Sequence, residues 1–301
     1  MSRIDCQQIT TMLRPWKSAD KSIRKNVLKP GIFTKKPTEC SICNVLMENI
    51  NIMETSEDIL KEKYHTNIFV SEGEKVLVIG EACAEIDRKV ERAIQMMNIY
   101  ERSLVTIIMP SQSEVKSESV SVKFEITLTK CEWYKPIWEW SPEEKYEVAL
   151  KYKEIAVKLF KSSRFVDAFH KFSRACKILI TLEPISDLEL DKHLEFNINN
   201  LRLTLYNNMA RCQLNQKNFE HTVALCTKVL NKDKNNVKAL YRRGVAYGSM
   251  KDNEKAVADL KVALTLEPNN HTVKEQFHIY NTRLQEATQK CNDMVRKMFK
   301  P

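Results

Sequence analysis

Between Val120 and Leu128 every second residue is apolar: Val120, Val122, Phe124, Ile126 and Leu128 alternate with polar positions. A period of two sends all five side chains to one face, so the segment predicts a strand with one side in a core. Leu104–Met109 and Lys75–Ile79 are shorter runs rich in β-branched residues and predict two more strands. Ile23–Leu28, Ser41–Ile52 and His65–Val70 carry a weaker form of the signal and are expected to be strands too. The period changes once in this half. Ile86, Val90, Ile94 and Met97 are spaced i, i+4, i+8 and i+11, which puts them on one stripe of a helix. Many strands with one helix predict an α+β domain, an antiparallel half-barrel sheet around a short helix.

From residue 142 onward the period is helical. Ser141-Pro142-Glu143-Glu144 reads as a capping box: Ser at the N-cap, Pro at the first helical position and Glu three residues after the Ser. A long helix therefore starts at Pro142. Ala210 and Gly244 lie 34 residues apart in matching contexts. Tyr247, Ala256, Ala263 and Pro268 follow Gly244 at offsets of 3, 12, 19 and 24. These are the aromatic, small and breaker positions of a tetratricopeptide (TPR) unit, in which two helices cross so closely that only Gly or Ala fits. Ala210, Phe219 and Thr222 mark the preceding unit, and Ala156, Phe160, Ala168, Phe172 and Ala175 the one before it. The first interval is longer by 20 residues, an insertion near Glu183–Lys192. Three units are about the minimum that bury a continuous core by stacking. A final helix, Val273–Phe299, has apolar positions at Phe277, Tyr280, Leu284, Ala287, Cys291, Met294 and Met298, and caps the stack.

These patterns divide the chain into an N-terminal arm at residues 1–20, an α+β domain at 21–135, a Trp-rich linker at 136–141 and an all-α TPR solenoid with its capping helix at 142–301. Trp133, Trp138 and Trp140 crowd the junction and are expected to pack the linker onto both domains.

Composition narrows the classes. With 43% hydrophobic and 29% charged residues in 301, the chain can build real cores, and no run is long and apolar enough to predict a membrane span. Met1–Lys17 has no apolar stretch of the signal-peptide kind, so residence in the cytoplasm is expected, with the nucleus as the alternative. Nine scattered cysteines then read as reduced thiols. Cys40 and Cys43 form a C-x-x-C with no second ligand pair, so packing is expected there and no metal site. The net charge of +9 favours acidic partners. Basic residues do not interleave with aromatics as a nucleic-acid surface requires, which leaves an acidic peptide as the better fit. The basic end of the last helix, Val295–Lys300, gives calmodulin or a membrane as a second reading beside capping. No catalytic motif for hydrolysis or phosphoryl transfer appears, and no cofactor is expected.

A strand-rich domain, then Trp138-Glu139-Trp140-Ser141-Pro142-Glu143-Glu144-Lys145, then three TPR units and a long helix, resembles the large FKBP-type immunophilins. The resemblance covers about Ser22 to Phe299. It is strongest in Lys238–Ala246, Glu254–Thr265 and Arg296–Phe299, where it points to the divergent FKBP-like members. In the first half it rests on Val27–Gly31 with Lys36-Pro37, and on Tyr100-Glu101-Arg102 before a strand. It implies a five-stranded half-wrapped sheet whose proline pocket has a tryptophan floor at the start of the helix. This chain has no tryptophan between Trp16 and Trp133, and offers Lys89 or Val90 at the floor. Its only glycines in that half are Gly31, Gly73 and Gly80, and Asp87 reads as a helix-dipole partner. Rotation about a prolyl bond must cross ~18–20 kcal/mol, and without the box that lowers it little or no isomerase activity is expected.

The resemblance also implies a two-carboxylate clamp for the Glu-Glu-Val-Asp tail of heat-shock protein 90, or the related tail of heat-shock protein 70. Lys153, Asn208, Lys238 and Arg242 match the clamp pattern, and Val157 departs from it where an asparagine is implied. Lys238 and Arg242, at i and i+4, share a helical face. Arg243 turns another way, as a structural group or a second donor. The expected role is a non-catalytic cochaperone or adaptor that links the chaperone to client proteins. A working prolyl isomerase, or an adaptor for another acidic peptide, is the alternative.

Overall fold

The computed structural model describes residues 15–53, 64–69, 71–109 and 120–298. It divides into two compact units, Met1–Trp140 and Ser141–Pro301. Residues 1–14, Val70 and Phe299, on which parts of the sequence reading fell, lie outside the described residues.

In the first unit, β1 (Trp16–Lys17), β2 (Ile23–Lys29), β3 (Ile42–Met53), β4 (Gly73–Val78), β5 (Arg102–Met109) and β6 (Val120–Glu132) form one antiparallel sheet in the order β1-β2-β5-β6-β3-β4. The sixth strand, beyond the five implied by the resemblance, is the two-residue β1. Helix α1 (Glu85–Ile94) packs against β5 and β2. The alternation read in the sequence is the one that buries the core. Val120, Val122, Phe124, Ile126 and Leu128 turn inward with Val105, Ile107 and Met109, and Ile86, Val90, Ala93 and Ile94 close over them.

The strand expected at His65–Val70 is absent from its described part. Residues 65–69 form an irregular turn: the Thr66 hydroxyl and the Asn67 amide both donate to the Asp87 carboxylate, the latter at 3.1 Å. Ile68 and Phe69 are buried because the turn folds onto the sheet, with Phe69 edge-on to Phe124 at 5.1 Å. Asp87 thus anchors a turn, beyond the dipole role read from its position.

The Tyr100-Glu101-Arg102 segment is a buried polar knot. The Glu101 carboxylate pairs with Lys25 and accepts from the Asn98 amide at 2.9 Å and the Ser103 hydroxyl at 2.7 Å. Gly31 passes so close that a Cβ there would lie 2.2 Å from the Ile99 carbonyl oxygen. Cys43, expected to pack, sits in the core opposite Cys131, sulfur to sulfur at 3.8 Å. At the end of the unit the Trp140 indole is buried, donates to the Lys135 carbonyl at 2.7 Å and meets the Tyr134 ring edge-on. Trp138, by contrast, is 78% exposed.

The second unit is a run of helices: α2 (Pro142–Lys161), α3 (Phe165–Ile180), α4 (Lys192–Asn215), α5 (Phe219–Leu230), α6 (Val237–Ser249), α7 (Asn253–Leu266) and α8 (His271–Met298). Each packs on the next, which is the stacking of three helix pairs and a cap. The small residues sit at the crossings: Ala156, Ala168, Ala175, Ala210, Ala256 and Ala263 are fully buried. The capping box is present with both bonds, Ser141 Oγ accepting from the Glu144 amide at 3.3 Å and Glu144 from the Ser141 amide at 2.7 Å. The 20-residue insertion becomes a short 3₁₀ turn, Ile185–Leu188, and a first helix of 24 residues in the second pair. Among the described residues no helix is long and apolar enough to cross a membrane.

Candidate functional site

The first helices of the three pairs, α2, α4 and α6, pack in succession, α4 touching both of the others. In a stack of this kind such helices line one continuous surface. Lys153 and Val157 stand one turn apart on α2, half-buried beside the buried Tyr152 and Ala156. Asn208 is half-buried on α4, and Lys238 is exposed in the first turn of α6, one turn before Arg242. Neither Lys153 nor Lys238 pairs with a carboxylate among the described residues.

Arg242 is held by a relay that begins at a helix cap. Asn236 caps α6, its Oδ1 accepting from the Ala239 amide at 3.1 Å. The same oxygen accepts from Asn207 Nδ2 at 3.2 Å, and Asn207 Oδ1 accepts from Arg242 Nη1 at 3.0 Å. The carboxamide of Asn207 is thereby fixed in orientation and aims the guanidinium. Burial pulls Arg242 below the ordinary guanidinium range, and the nearby Arg211 charge pushes the same way. Arg211, on α4, lies over the Phe160 ring of α2 at 4.5 Å.

Arg243 behaves differently. It forms a two-pronged pair with Asp259 of α7 at 2.7 and 2.8 Å and reaches Thr227 at 3.3 Å. The bonds to Asp259 raise its pKa, so it is a structural tie between helices. Sequence reading missed Asn207, Asn236 and Arg211. The signal for Arg211 was present: it follows Val157 by 54 residues, the interval that also separates Ala156 from Ala210.

In the first unit, the two residues at the floor position present no ring. Val90 is fully buried in the core. Lys89 donates to the Ile108 carbonyl at 3.1 Å and pairs with Glu85 at 3.2 Å. Among the described residues no group of three or more His, Cys, Asp or Glu side chains is arranged to hold a metal.

The sheet with the helix packed on it and the stacked helix pairs define an FKBP-like domain followed by TPR repeats. The family model described as BDBT FKBP like N-terminal matches residues 16–133, that of Bride of doubletime-like, TPR domain matches 141–224, and a tetratricopeptide repeat model matches 237–270. The chain thus joins an FKBP-like N-terminal domain to TPR repeats, the arrangement of the FKBP-like relatives it resembles. Among curated relatives, the human peptidyl-prolyl cis-trans isomerase FKBP4 is 28% identical over 288 residues, 93% of this chain and 59% of its own length. The mouse FK506-binding protein-like is 34% identical over 140 residues, 46% of this chain and 37% of its own length. This chain therefore spans little more than half of the first of these relatives. The crystal structure of residues 1–211 of CG17282 has the same fold over 70% of this chain and 97% of its own, with a TM-score of 0.56 and 24% identity.

Proposed function

We propose that the protein is a non-catalytic cochaperone or adaptor whose TPR array takes the acidic C-terminal tail of heat-shock protein 90. One observation carries this reading: Lys153, Asn208, Lys238 and Arg242 occur at the clamp's repeat positions on three first helices that pack in succession. A peptide ending in aspartate offers a main-chain and a side-chain carboxylate a few ångströms apart. Lysines without a carboxylate partner and an oriented guanidinium suit that pair of charges. Val157 removes one polar contact, worth ~0.5–1.5 kcal/mol.

Calorimetry of the chain with a Met-Glu-Glu-Val-Asp peptide tests the reading. Binding in the micromolar range is expected, and Lys238→Ala should weaken it at least tenfold, since that exposed lysine pairs with no carboxylate among the described residues. Binding that is absent, or that ignores Lys238→Ala, removes the clamp.

For the first unit, the buried Val90 and the engaged Lys89 support a domain without a proline pocket of the active kind. A coupled prolyl-isomerisation assay should read no rate above the uncatalysed one. Turnover there would make the protein an isomerase delivered to its clients by the array.

A further inference from the structure

The clamp pattern departs at Val157, where the first repeat has no side-chain donor. The second repeat carries a guanidinium at the equivalent position, Arg211. Packing of α4 on α2 returns that group to the vicinity of the missing donor. It lies over Phe160 at 4.5 Å, and Phe160 is three residues beyond Val157 on α2. A guanidinium stacked on a ring by its face keeps its in-plane N–H groups free to bind. On α4, Asn207 stands one turn before Arg211, and its Oδ1 accepts from Arg242. The Arg211 and Arg242 guanidiniums are near enough for the charge of one to act on the other.

Neither has a counter-charge. Among the described residues no carboxylate pairs with Arg211 or Arg242, and the hydrogen bond of Arg242 goes to a neutral amide. Elsewhere in the same unit arginines have been given acids: Arg243 has Asp259 and Arg164 has Asp167. Arg242 is half-buried, and a cation left there without such a partner is a standing cost to the fold; Arg211 is exposed and adds a second positive charge beside it. Together they form a ready site for an incoming anion. We infer that Arg211, Asn207 and Arg242 form an anion subsite beside the clamp, one that takes an aspartate or glutamate side chain upstream of the bound peptide's last residue. The placement of the peptide rests on the clamp reading; the subsite itself rests on the two unneutralised guanidiniums. Carboxylates accept two parallel N–H bonds from such a group, so the contact selects for charge and not for size alone.

The experiment uses the 301-residue chain and two peptides, Met-Glu-Glu-Val-Asp and Met-Gln-Gln-Val-Asp, titrated by calorimetry into wild type and Arg211→Met. Arg211 is exposed, so the variant should keep the wild-type melting temperature. Wild type is expected to bind the glutamate peptide about tenfold more tightly than the glutamine peptide. Arg211→Met should lose most of that preference and bind the glutamine peptide as wild type does. Equal weakening of both peptides, or no change in either, overturns the subsite while leaving the clamp intact. Should wild type bind neither, the clamp reading fails, and hexaglutamate with an amidated C-terminus decides the subsite separately. Binding of that probe by wild type and its loss in Arg211→Met keeps the inference; no binding, or binding indifferent to the change, ends it.

Discussion

Gly248, near the end of α6, lies against the ring of Tyr280 on α8. A Cβ at that position would stand 2.2 Å from one ring carbon and 2.3 and 2.5 Å from two others. The ring cannot yield easily, being 5% exposed with its hydroxyl donating to the Val245 carbonyl. Gly248→Ala should therefore destabilise by about 1–3 kcal/mol, the usual range for an overpacked contact, and a thermal melt will show the midpoint falling by several degrees. An unchanged midpoint would mean that α8 does not seat on α6 as described. The same scale separates two adjacent arginines. Arg243 is spent on Asp259, whereas Arg242 is held by the buried Asn207 of α4. A single step along the helix, 100° of rotation, decides which is paired with an acid and which with a neutral amide.

At the level of elements, local rules account for much of what the sequence disclosed. The alternation from Val120 to Leu128 and the stripe Ile86, Val90, Ile94 are one-dimensional signals, and both appear where they were read. So does the start of α2, because a capping box is chemistry between residues three apart. Ser141→Ala should cost about 1 kcal/mol by orphaning the Glu144 amide, visible as a lower melting temperature; Ser141→Asp should largely retain it. Failures came where distant residues decide. His65–Val70 has the composition of a strand, but Asp87, some twenty residues later, ties the described part into a turn. The repeat spacing was legible enough to place Lys153, Asn208, Lys238 and Arg242 on the first helices of the three pairs, where the proposed clamp needs them. Asn207 was not legible, because its part depends on a cap at Asn236 and a guanidinium at Arg242, neither on its own helix.

On the scale of the molecule, the two units have separate cores, and the polar knot around Glu101 belongs to the first alone. Glu101→Ala strands the Lys25 ammonium in a buried site, a loss of about 3–5 kcal/mol for a broken buried pair. Hydrogen exchange should then quicken in β2, β5 and β6 while the amides of α2 to α7 keep their wild-type rates; acceleration in both would join the units into one cooperative system. The seat of Tyr280 on Gly248 bears on a different matter, the lengthening of the array by design. A consensus repeat spliced in after Pro268 would have to present an aromatic ring at the register of Tyr280, because any smaller group would leave the last natural pair with a void. A builder would have to match the ring to that glycine before adding anything beyond.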